Sequence, residues 1–234
     1  MISEKPLGIK AYGSIPHLPS SRLGTGDHHC HEGQARIATE KTRDKHDYVI
    51  VQEKLDGSNV AVTKVDGKIL ALTRSGYLAN TSKYEQHHKF VEWVEDNYYR
   101  FYELLMPGER VCGEWLLQAH GTRYALPHEP FVAFDLIYNQ RRLDFAGFEY
   151  RMLFLDFMLP KVLHRGKSSF SIENAIEAIK TSGHGAIDPV EGAVWRIERK
   201  GEIDFLVKYV RPDKEDGKYF PENNNGIITY NKLK

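Results

Sequence analysis

Two runs of alternating hydrophobic and polar residues, separated by the pair Asp66-Gly67, constrain the fold of this chain most strongly. The runs are NVAVTKV at 59–65 and KILALTR at 68–74. Because an Asp-Gly pair tolerates the positive φ angles of a type I′ turn, the pattern predicts an antiparallel β-hairpin. The apolar run YVIVQE at 48–53 predicts a buried strand shortly before it.

In residues 82–105 the spacing of apolar residues is that of a helix, whereas in the preceding segments it is that of a strand. Ser82, followed by Glu85, predicts a capping box at the helix start, and Pro107-Gly108 predicts the helix end. The apolar stripe of this helix consists of Phe90, Val91, Val94, Tyr98, Phe101 and Leu105.

The other periodic segments are four strands and one further helix. The helix IENAIEAIK has Ser171 as its predicted N-cap and Gly183 as its predicted stop. Since strands follow one another in hairpins and helices interrupt them irregularly, the sequence predicts an α+β fold of mainly antiparallel sheets with flanking helices. The four predicted strands are 110–117, 130–138, 193–199 and 203–209.

Charge and cysteine content exclude several protein classes. Thirty-two Lys and Arg oppose 32 Asp and Glu, which argues against a protein that coats polyanions but leaves local basic clefts open. Cys30 and Cys112 are too few for a disulfide framework and match no zinc spacing. No apolar run approaches the roughly 20 residues of a transmembrane helix, and residues 1–22 lack a signal-peptide core, so we expect a cytoplasmic protein.

Lys54, at the end of the first predicted strand, is a candidate nucleophile. Asp56-Gly57 follow it and turn the chain into the next strand. A lysine becomes nucleophilic only when its amine loses a proton, which burial or neighbouring positive charge promotes. Taken alone, the K-x-D-G pattern fits better with a surface lysine before a tight turn.

Five further motifs follow Lys54 in a fixed order. They are Thr73-Arg74-Ser75-Gly76, Gly113-Glu114-Trp115, Phe134-Asp135-Leu136-Ile137, Glu191-Gly192-Ala193-Val194-Trp195-Arg196-Ile197 and Leu206-Val207-Lys208-Tyr209. In this order, at predicted strand ends, they resemble the motifs of the covalent nucleotidyltransferase superfamily of ligases and capping enzymes. The series, which spans 53–211, is most similar to that of the ATP-dependent RNA ligases of phage and bacteria.

This resemblance implies a nucleotidyltransferase domain of the ATP-grasp-like ligase adenylation type. Residues 1–47 would be an irregular arm of that domain, 48–211 its core and 212–234 a short extension, with no separate C-terminal nucleic-acid-binding domain. We therefore expect a monomer that acts on RNA ends, makes no membrane contact and has a protein partner in place of the missing domain.

The resemblance also implies a reaction. Lys54 would attack the α-phosphate of ATP to form lysyl-AMP, AMP would pass to an RNA 5′-phosphate, and a 3′-hydroxyl would displace it. Lys208 would be catalytic by neutralising phosphate charge, and Glu191 would hold Mg²⁺ or Mn²⁺. The implied nucleotide-binding set is Glu53, Asn59, Arg74, Glu114, Phe134, Glu191 and Lys208.

Individual roles in that set follow from side-chain chemistry. Glu114 would accept hydrogen bonds from ribose hydroxyls, and Phe134 would stack on adenine. The backbone of Glu53 would form hydrogen bonds with the adenine edge. Arg74 would contact the sugar or the incoming phosphate, and Arg211 would contact phosphate or RNA. Taken singly, each residue has a plainer explanation. Glu114 would be a charge at a strand end, Phe134 a core aromatic and Arg74 a solvated hairpin residue.

One departure from the resemblance keeps other functions open. Many relatives carry two lysines separated by one residue in the last motif, whereas here Val210 occupies the second position and the next cation is Arg211. Arginine and lysine differ in phosphate geometry. The alternatives are a GTP-dependent capping-type guanylyltransferase, a DNA ligase core and a catalytically weak, RNA-binding relative.

The segment Asp27-His28-His29-Cys30-His31 concentrates side chains that bind metals. Adjacent residues rarely all reach one ion, and zinc ligands are usually spaced by two or more residues. We interpret the segment as an exposed polar loop, with contact to a phosphate or RNA end as the alternative. His87, near the apolar stripe of the first helix, is interpreted as a packing residue.

Overall fold

The computed structural model describes residues 4–234, which divide into two compact units. The chain leaves unit 2 for unit 1 between Asp56 and Gly57, shortly after Lys54. Unit 1 consists of the described residues up to Gly13, Gly57–Gln118 and Glu129–Leu159. Unit 2 consists of Ser14–Asp56, Ala119–His128 and Pro160–Lys234.

Helices and strands alternate irregularly along the chain. The helices are α1 (Glu32–Thr39), α2 (Glu85–Asp96), α3 (Tyr98–Leu104), α4 (Phe145–Phe154) and α5 (Ile172–Ala178). The strands are β1 (Asp47–Lys54), β2 (Ser58–Val65), β3 (Lys68–Thr73), β4 (Glu109–Trp115), β5 (Ala125–Leu126), β6 (Phe131–Tyr138), β7 (Arg141–Arg142), β8 (Val162–Gly166), β9 (Gly192–Arg199), β10 (Glu202–Val210) and β11 (Lys232–Leu233). In the part of the chain described, no helix is long and apolar enough to cross a membrane.

Unit 1 contains a five-stranded antiparallel sheet in the order β3-β2-β4-β6-β7. Its β2–β3 pair is the hairpin that the sequence predicts, with Val65 opposite Lys68 across the turn. Both turn residues have positive φ, 49° at Asp66 and 72° at Gly67, as a type I′ turn requires. The hairpin and the α+β class with antiparallel sheets are therefore confirmed.

The single helix predicted over 82–105 is wrong, because the chain forms two helices that meet at Asn97. The Asn97 side chain donates to the Trp93 carbonyl at 2.9 Å and so competes with the helical backbone. The predicted capping box is also absent: Tyr84 is the N-cap residue of α2 and makes no side-chain capping bond.

Ser82 instead helps to hold His87 inside unit 1. The Nδ1 atom of His87 lies 2.6 Å from the Ser82 hydroxyl, and its Nε2 atom lies 2.8 Å from the Ser58 hydroxyl. The packing interpretation of His87 therefore misses two polar contacts. The predicted apolar stripe does contribute to the core, since Phe90 and Phe101 are completely buried.

Unit 2 contains a four-stranded antiparallel sheet in the order β10-β9-β1-β8. The sheet core includes Val49 and Val51 of β1 and Trp195 of β9, all completely buried. Helix α1 packs Ala35 and Ala38 into the same core. This helix lies within residues 1–47, which the sequence predicts to be irregular. The prediction misses α1 because eight residues are too few to display a helical period.

The arm that precedes α1 runs along the β10 edge of this sheet. The backbone N–H of Lys208 donates to the Pro16 carbonyl at 2.9 Å, and the N–H of Leu18 donates to the Lys208 carbonyl at 2.8 Å. The N–H of Arg22 bonds in the same way to Val210 at 3.0 Å. These bonds satisfy backbone groups of a strand that would otherwise be an open sheet edge.

Helix α5 begins where the sequence predicts and ends earlier than predicted. The Ser171 hydroxyl accepts the N–H of Asn174 at 3.2 Å, which confirms the N-cap. The helix ends at Ala178, so Gly183 is not its stop. The N–H of Gly183 donates instead to Glu53 Oε2 at 2.8 Å.

Candidate active site

Lys54 is the last residue of β1, in the interior of the unit 2 sheet. Its Nζ atom lies 2.5 Å from Glu191 Oε2, and the exposed fractions of the two side chains are 22% and 11%. Lys54 is in register with Gly192, so the antiparallel ladder brings the preceding residue, Glu191, beside the lysine. A Cβ atom on Gly192 would collide with the carbonyl of Tyr209, so the close strand approach requires glycine.

Two further charged groups, those of Asp56 and Lys214, lie near this pair. Burial raises the pKa of Glu191, the ammonium of Lys54 opposes that shift, and the carboxylate of Asp56 adds to it. The ammonium of Lys214 also lowers the pKa of Glu191. Two carboxylates and two ammonium groups therefore lie close enough to influence one another, and we name Lys54, Glu191, Asp56 and Lys214 the Lys54 cluster.

Asp56 is fixed by three contacts within unit 2. Its Oδ2 atom accepts hydrogen bonds from the Lys214 ammonium and, at 2.7 Å, from the N–H of Gly121. Its own N–H donates to the Tyr124 hydroxyl at 3.1 Å. Lys214 and Tyr124 are 158 and 68 residues from Asp56, and no short-range sequence pattern signals either contact.

Lys208 lies on β10 beside an Asp–His pair from the arm. Its Nζ atom is 3.7 Å from Asp27 Oδ1, and the other oxygen of Asp27 is 2.9 Å from His17 Nε2. The ring of His17 also contacts the Ser21 hydroxyl at 2.7 Å. Burial lowers the pKa of His17, the charges of Lys208 and Lys54 lower it further, and Asp27 opposes the shift. Both lysines therefore lie within electrostatic range of one histidine.

The side chains around Asp27 have separate partners. Asp27 faces His17 and Lys208, His29 contacts the Leu18 carbonyl at 3.2 Å, and His31 flanks the start of α1. Within residues 4–234, no group of three His, Cys, Asp or Glu side chains is arranged to hold a metal ion.

Two of the candidate side chains are engaged in bonds inside unit 2. The carboxylate of Glu53 is buried and accepts from the Ser182 hydroxyl at 2.5 Å as well as from Gly183. The guanidinium of Arg211 donates to the Val190 carbonyl at 2.6 Å and pairs with Asp213 at 2.8 Å. Their side chains thus make structural contacts.

In unit 1, the structure brings Asn59 and Glu114 together. The two residues are directly opposite each other on β2 and β4. Glu114 Oε1 accepts the N–H of Gly57 at 3.0 Å, and a Cβ on Gly57 would collide with the Trp115 carbonyl. Asn59 Oδ1 is buried without a hydrogen-bond partner among the described residues, which is unusual for a polar atom.

Phe134 lies at a register shift in β6. Asp135 is paired with Cys112 and Ala133 with Gly113, which leaves Phe134 outside the regular ladder, as in a β-bulge. Its half-buried ring packs edge-on against Tyr12, with 5.0 Å between ring centroids.

Tyr12 contacts the candidate residue Phe134, and no sequence pattern indicates this contact. Its hydroxyl donates to Asp135 Oδ2 at 3.1 Å, and Arg142 donates to the same oxygen at 2.6 Å. Arg74, just after β3, is exposed, with Nη2 3.4 Å from the Gly13 carbonyl. Unit 1 thus holds the ring of Phe134 firmly and leaves Arg74 at the surface.

Solved structures of ligases share this fold. An archaeal ATP-dependent RNA ligase matches with a TM-score of 0.51 and 17% identity over 86% of this chain and 48% of its own. A Naegleria gruberi RNA ligase mutant, determined with ATP and Mn, has a TM-score of 0.52 and 14% identity over 94% of this chain and 64% of its own. A putative ATP-dependent DNA ligase from Aquifex aeolicus has a TM-score of 0.50 and 18% identity over 86% of this chain and 49% of its own.

Sequence comparison adds a family. An uncharacterized protein of Methanocaldococcus jannaschii is 37% identical over 66 residues, which cover 28% of this chain and 16% of that protein. The chain spans about half the length of the archaeal and Aquifex ligases, at 48% and 49%. A family model described as RNA ligase matches residues 47–210, the stretch that contains the ordered motifs. The resemblance that those motifs predict is thereby confirmed, and the chain belongs to the RNA ligase family.

Proposed function

We propose that this chain is an ATP-dependent RNA ligase with Lys54 as its nucleophile. The observation that carries the proposal is the 2.5 Å contact between Lys54 Nζ and Glu191 Oε2 at the end of β1. This contact fixes a partly exposed amine, and phosphoryl transfer depends chiefly on such positioning. Membership of the RNA ligase family supports the same reaction.

In the first step, the unprotonated amine of Lys54 attacks the α-phosphorus of ATP. A P–N bond forms, the P–O bond to pyrophosphate breaks, and pyrophosphate leaves with its negative charge, while the nitrogen releases one proton to solvent. Lys208, whose ammonium faces Asp27 at 3.7 Å, is the proposed residue that neutralises charge on the phosphate. The product is lysyl-AMP.

In the second and third steps, RNA ends replace ATP. An oxygen of the RNA 5′-phosphate attacks the adenylyl phosphorus, the P–N bond to Lys54 breaks, and the lysine nitrogen takes up a proton from solvent. A 3′-hydroxyl oxygen then attacks the 5′-phosphorus and releases its proton to solvent, a phosphodiester forms, and AMP leaves. Arg74 is the proposed contact for the sugar or the incoming phosphate, since it is exposed at the end of β3.

Unit 1 carries the residues that we assign to the nucleoside. Asn59 Oδ1 is a buried acceptor without a partner among the described residues, so it is suited to an amino or hydroxyl donor. Glu114 is suited to ribose hydroxyls, and the ring of Phe134 to adenine, where stacking is worth roughly 1–3 kcal/mol per base. The assignment of Glu53 concerns its backbone, because its side chain is bonded inside unit 2. To contact phosphate or RNA, the guanidinium of Arg211 would exchange its bonds to the Val190 carbonyl and to Asp213.

A divalent cation, Mg²⁺ or Mn²⁺, is part of the proposal. Mg²⁺ is usually bound by one or two carboxylates together with water and substrate phosphates, and the single carboxylate of Glu191 fits that donor set. Glu191 would hold the ion. When bound, the cation supplies Lewis-acid neutralisation of phosphate charge.

Covalent labelling tests the proposal. The protein is incubated with ATP and Mg²⁺ or Mn²⁺, and its intact mass is measured after acid denaturation. The wild type should gain one adenylyl group and Lys54→Ala none. Lys180→Ala is the matched control, because Lys180 is 65% exposed in unit 2 and should keep the adduct. A wild type that gains no adenylyl group would overturn the proposal.

The same preparation decides among the alternatives. An adduct from GTP in place of ATP would assign a guanylyltransferase, and sealing of nicked DNA in preference to matched nicked RNA would assign a DNA ligase. The DNA alternative has its own support in the Aquifex structure. RNA binding without an adduct would assign the catalytically weak relative.

A further inference from the structure

We infer that Lys214 is a positioning residue for adenylylation: its ion pair with Asp56 fixes the loop after Lys54 and thereby aims the nucleophile. The inference rests on the proposed function, and it concerns contacts that lie entirely within unit 2. Lys214 acts through Asp56 and makes no contact with ATP in this role.

The loop after Lys54 is fixed in both its side chain and its main chain. Asp56, two residues beyond Lys54, accepts from Lys214 and Gly121 through one carboxylate oxygen and donates its N–H to Tyr124. A residue bonded at three points cannot rotate independently. Only two peptide units separate it from Lys54, so the direction of the lysine side chain depends on this anchor.

The ammonium of Lys214 lies in a buried space that leaves no room for another position of the group. Its side chain is 2% exposed, and that of Asp56 is 11% exposed. A Cβ atom on Gly121 would collide with Lys214 Nζ and with the carbonyl of Glu215. The ion pair therefore has one geometry, whereas an apolar pair of the same volume would serve stability as well or better.

The turn that carries Lys214 is also bonded to Glu191, the acidic partner of Lys54. The N–H of Arg211 donates to the Glu191 carbonyl at 3.0 Å, and the N–H of Lys214 donates to the Arg211 carbonyl at 3.2 Å. One turn thus holds Glu191, which pairs with Lys54. Through Lys214, the same turn also holds Asp56, which lies in the loop after Lys54. This arrangement assigns Lys214 to the orientation of the nucleophile.

The position of Arg211 strengthens this assignment. Arg211 is the next cation after Lys208 in the sequence, but its guanidinium is bonded to the Val190 carbonyl and to Asp213. Lys214, three residues later, is the cation that enters the Lys54 cluster.

Single-turnover adenylylation at varied ATP concentration tests the role. Lys214→Met should lower the maximal rate constant about 100-fold, the size expected when a reacting group is misplaced, while half-saturating ATP changes less than about threefold. Lys218→Met is the matched control, because Lys218 lies in the same segment and is 48% exposed, and its rate should be unchanged.

The double variant Asp56→Asn/Lys214→Met separates positioning from stability. Removing both charges should restore the stability that Lys214→Met loses, because no buried charge is left uncompensated. The rate should remain low, because the anchor is still missing. Hydrogen exchange without ATP should show faster exchange of the amides of Leu55 and Asp56 in both variants, with the amides at 49–51 unchanged.

Each result bears on the inference. A wild-type rate in Lys214→Met, a rate that recovers in the double variant, or a rise in half-saturating ATP at full maximal rate would overturn it. A wild type without an adduct would instead refute the proposed function, and the exchange measurement tells the two failures apart because it needs no ATP.

Discussion

Lys54 and Gly192 face each other as the last register pair between β1 and β9. This pairing brings Glu191 to the nucleophile, and it depends on the absence of a side chain at Gly192, where a Cβ would overlap the carbonyl of Tyr209 on β10. The position of the acidic partner therefore follows from strand register and from one glycine.

Gly192→Ala should lower the free energy of unfolding by about 1–3 kcal/mol, because the added methyl forces β9 away from β10. Chemical denaturation measures the change, and adenylylation of the folded variant should fall with it. Gly33→Ala is the control: its Cβ would meet no atom within 4 Å in α1, and alanine should stabilise the helix by about 0.5–1 kcal/mol. Equal stability of Gly192→Ala and wild type would contradict the register argument.

Glu191→Gln should separate stability from activity. The amide keeps the shape of the side chain and removes a buried charge whose desolvation raises the pKa of Glu191, but it leaves the partly exposed ammonium of Lys54 without its carboxylate, so the free energy of unfolding should fall by no more than about 1–2 kcal/mol. Adenylylation should fall about 100-fold, since the partner of Lys54 is lost. Parallel denaturation and mass spectrometry test both expectations, and full activity in the variant would remove Glu191 from the site.

Local patterns predict the parts of the fold that depend on neighbouring residues. The Asp66-Gly67 hairpin and the Ser171 cap are of this kind, because their geometry is determined within a few residues. The pairing of Asn59 with Glu114 is not local, and the resemblance implies only that both residues belong to one nucleotide-binding set.

Features that depend on distant contacts were inaccessible to sequence patterns. Lys214 reaches Asp56 across 158 residues, and the tail that carries it reads only as polar and turn-rich. Helix α4 shows no clear apolar stripe, because Leu153 and Phe154 are 57% and 75% exposed beside the buried Phe148. The helix break at Asn97 depends on one side-chain bond that periodicity does not detect.

Phe134→Leu should weaken ATP binding and leave the chemistry intact. Loss of stacking worth roughly 1–3 kcal/mol raises half-saturating ATP about 5- to 150-fold at an unchanged maximal rate of adenylylation. Tyr99→Leu, which removes an aromatic ring that is 81% exposed on α3, should leave both quantities unchanged. Unchanged half-saturation in Phe134→Leu would show that the ring only packs against Tyr12.

His184 should make unit 2 sensitive to mild acid. Its ring is 2% exposed, with Nδ1 2.8 Å from His128 Nε2 and Nε2 accepting the N–H of Lys161 at 3.2 Å. Burial and the neighbouring His128 lower the pKa of His184 to about 3.

The unfolded chain binds a proton near the ordinary histidine pKa of about 6.5, whereas folded His184 does not, so stability is lost as the pH falls from that value toward 3. Between pH 6.5 and 5 this loss should be about 1.5 kcal/mol in the wild type. His184→Asn should flatten the pH dependence by that amount, as measured by denaturation at each pH. Between pH 7.5 and 8.5 the difference in stability between the two proteins should stay constant, because the histidine is neutral in both states. An identical acid dependence in the variant would show that His184 is protonated equally well in the folded chain.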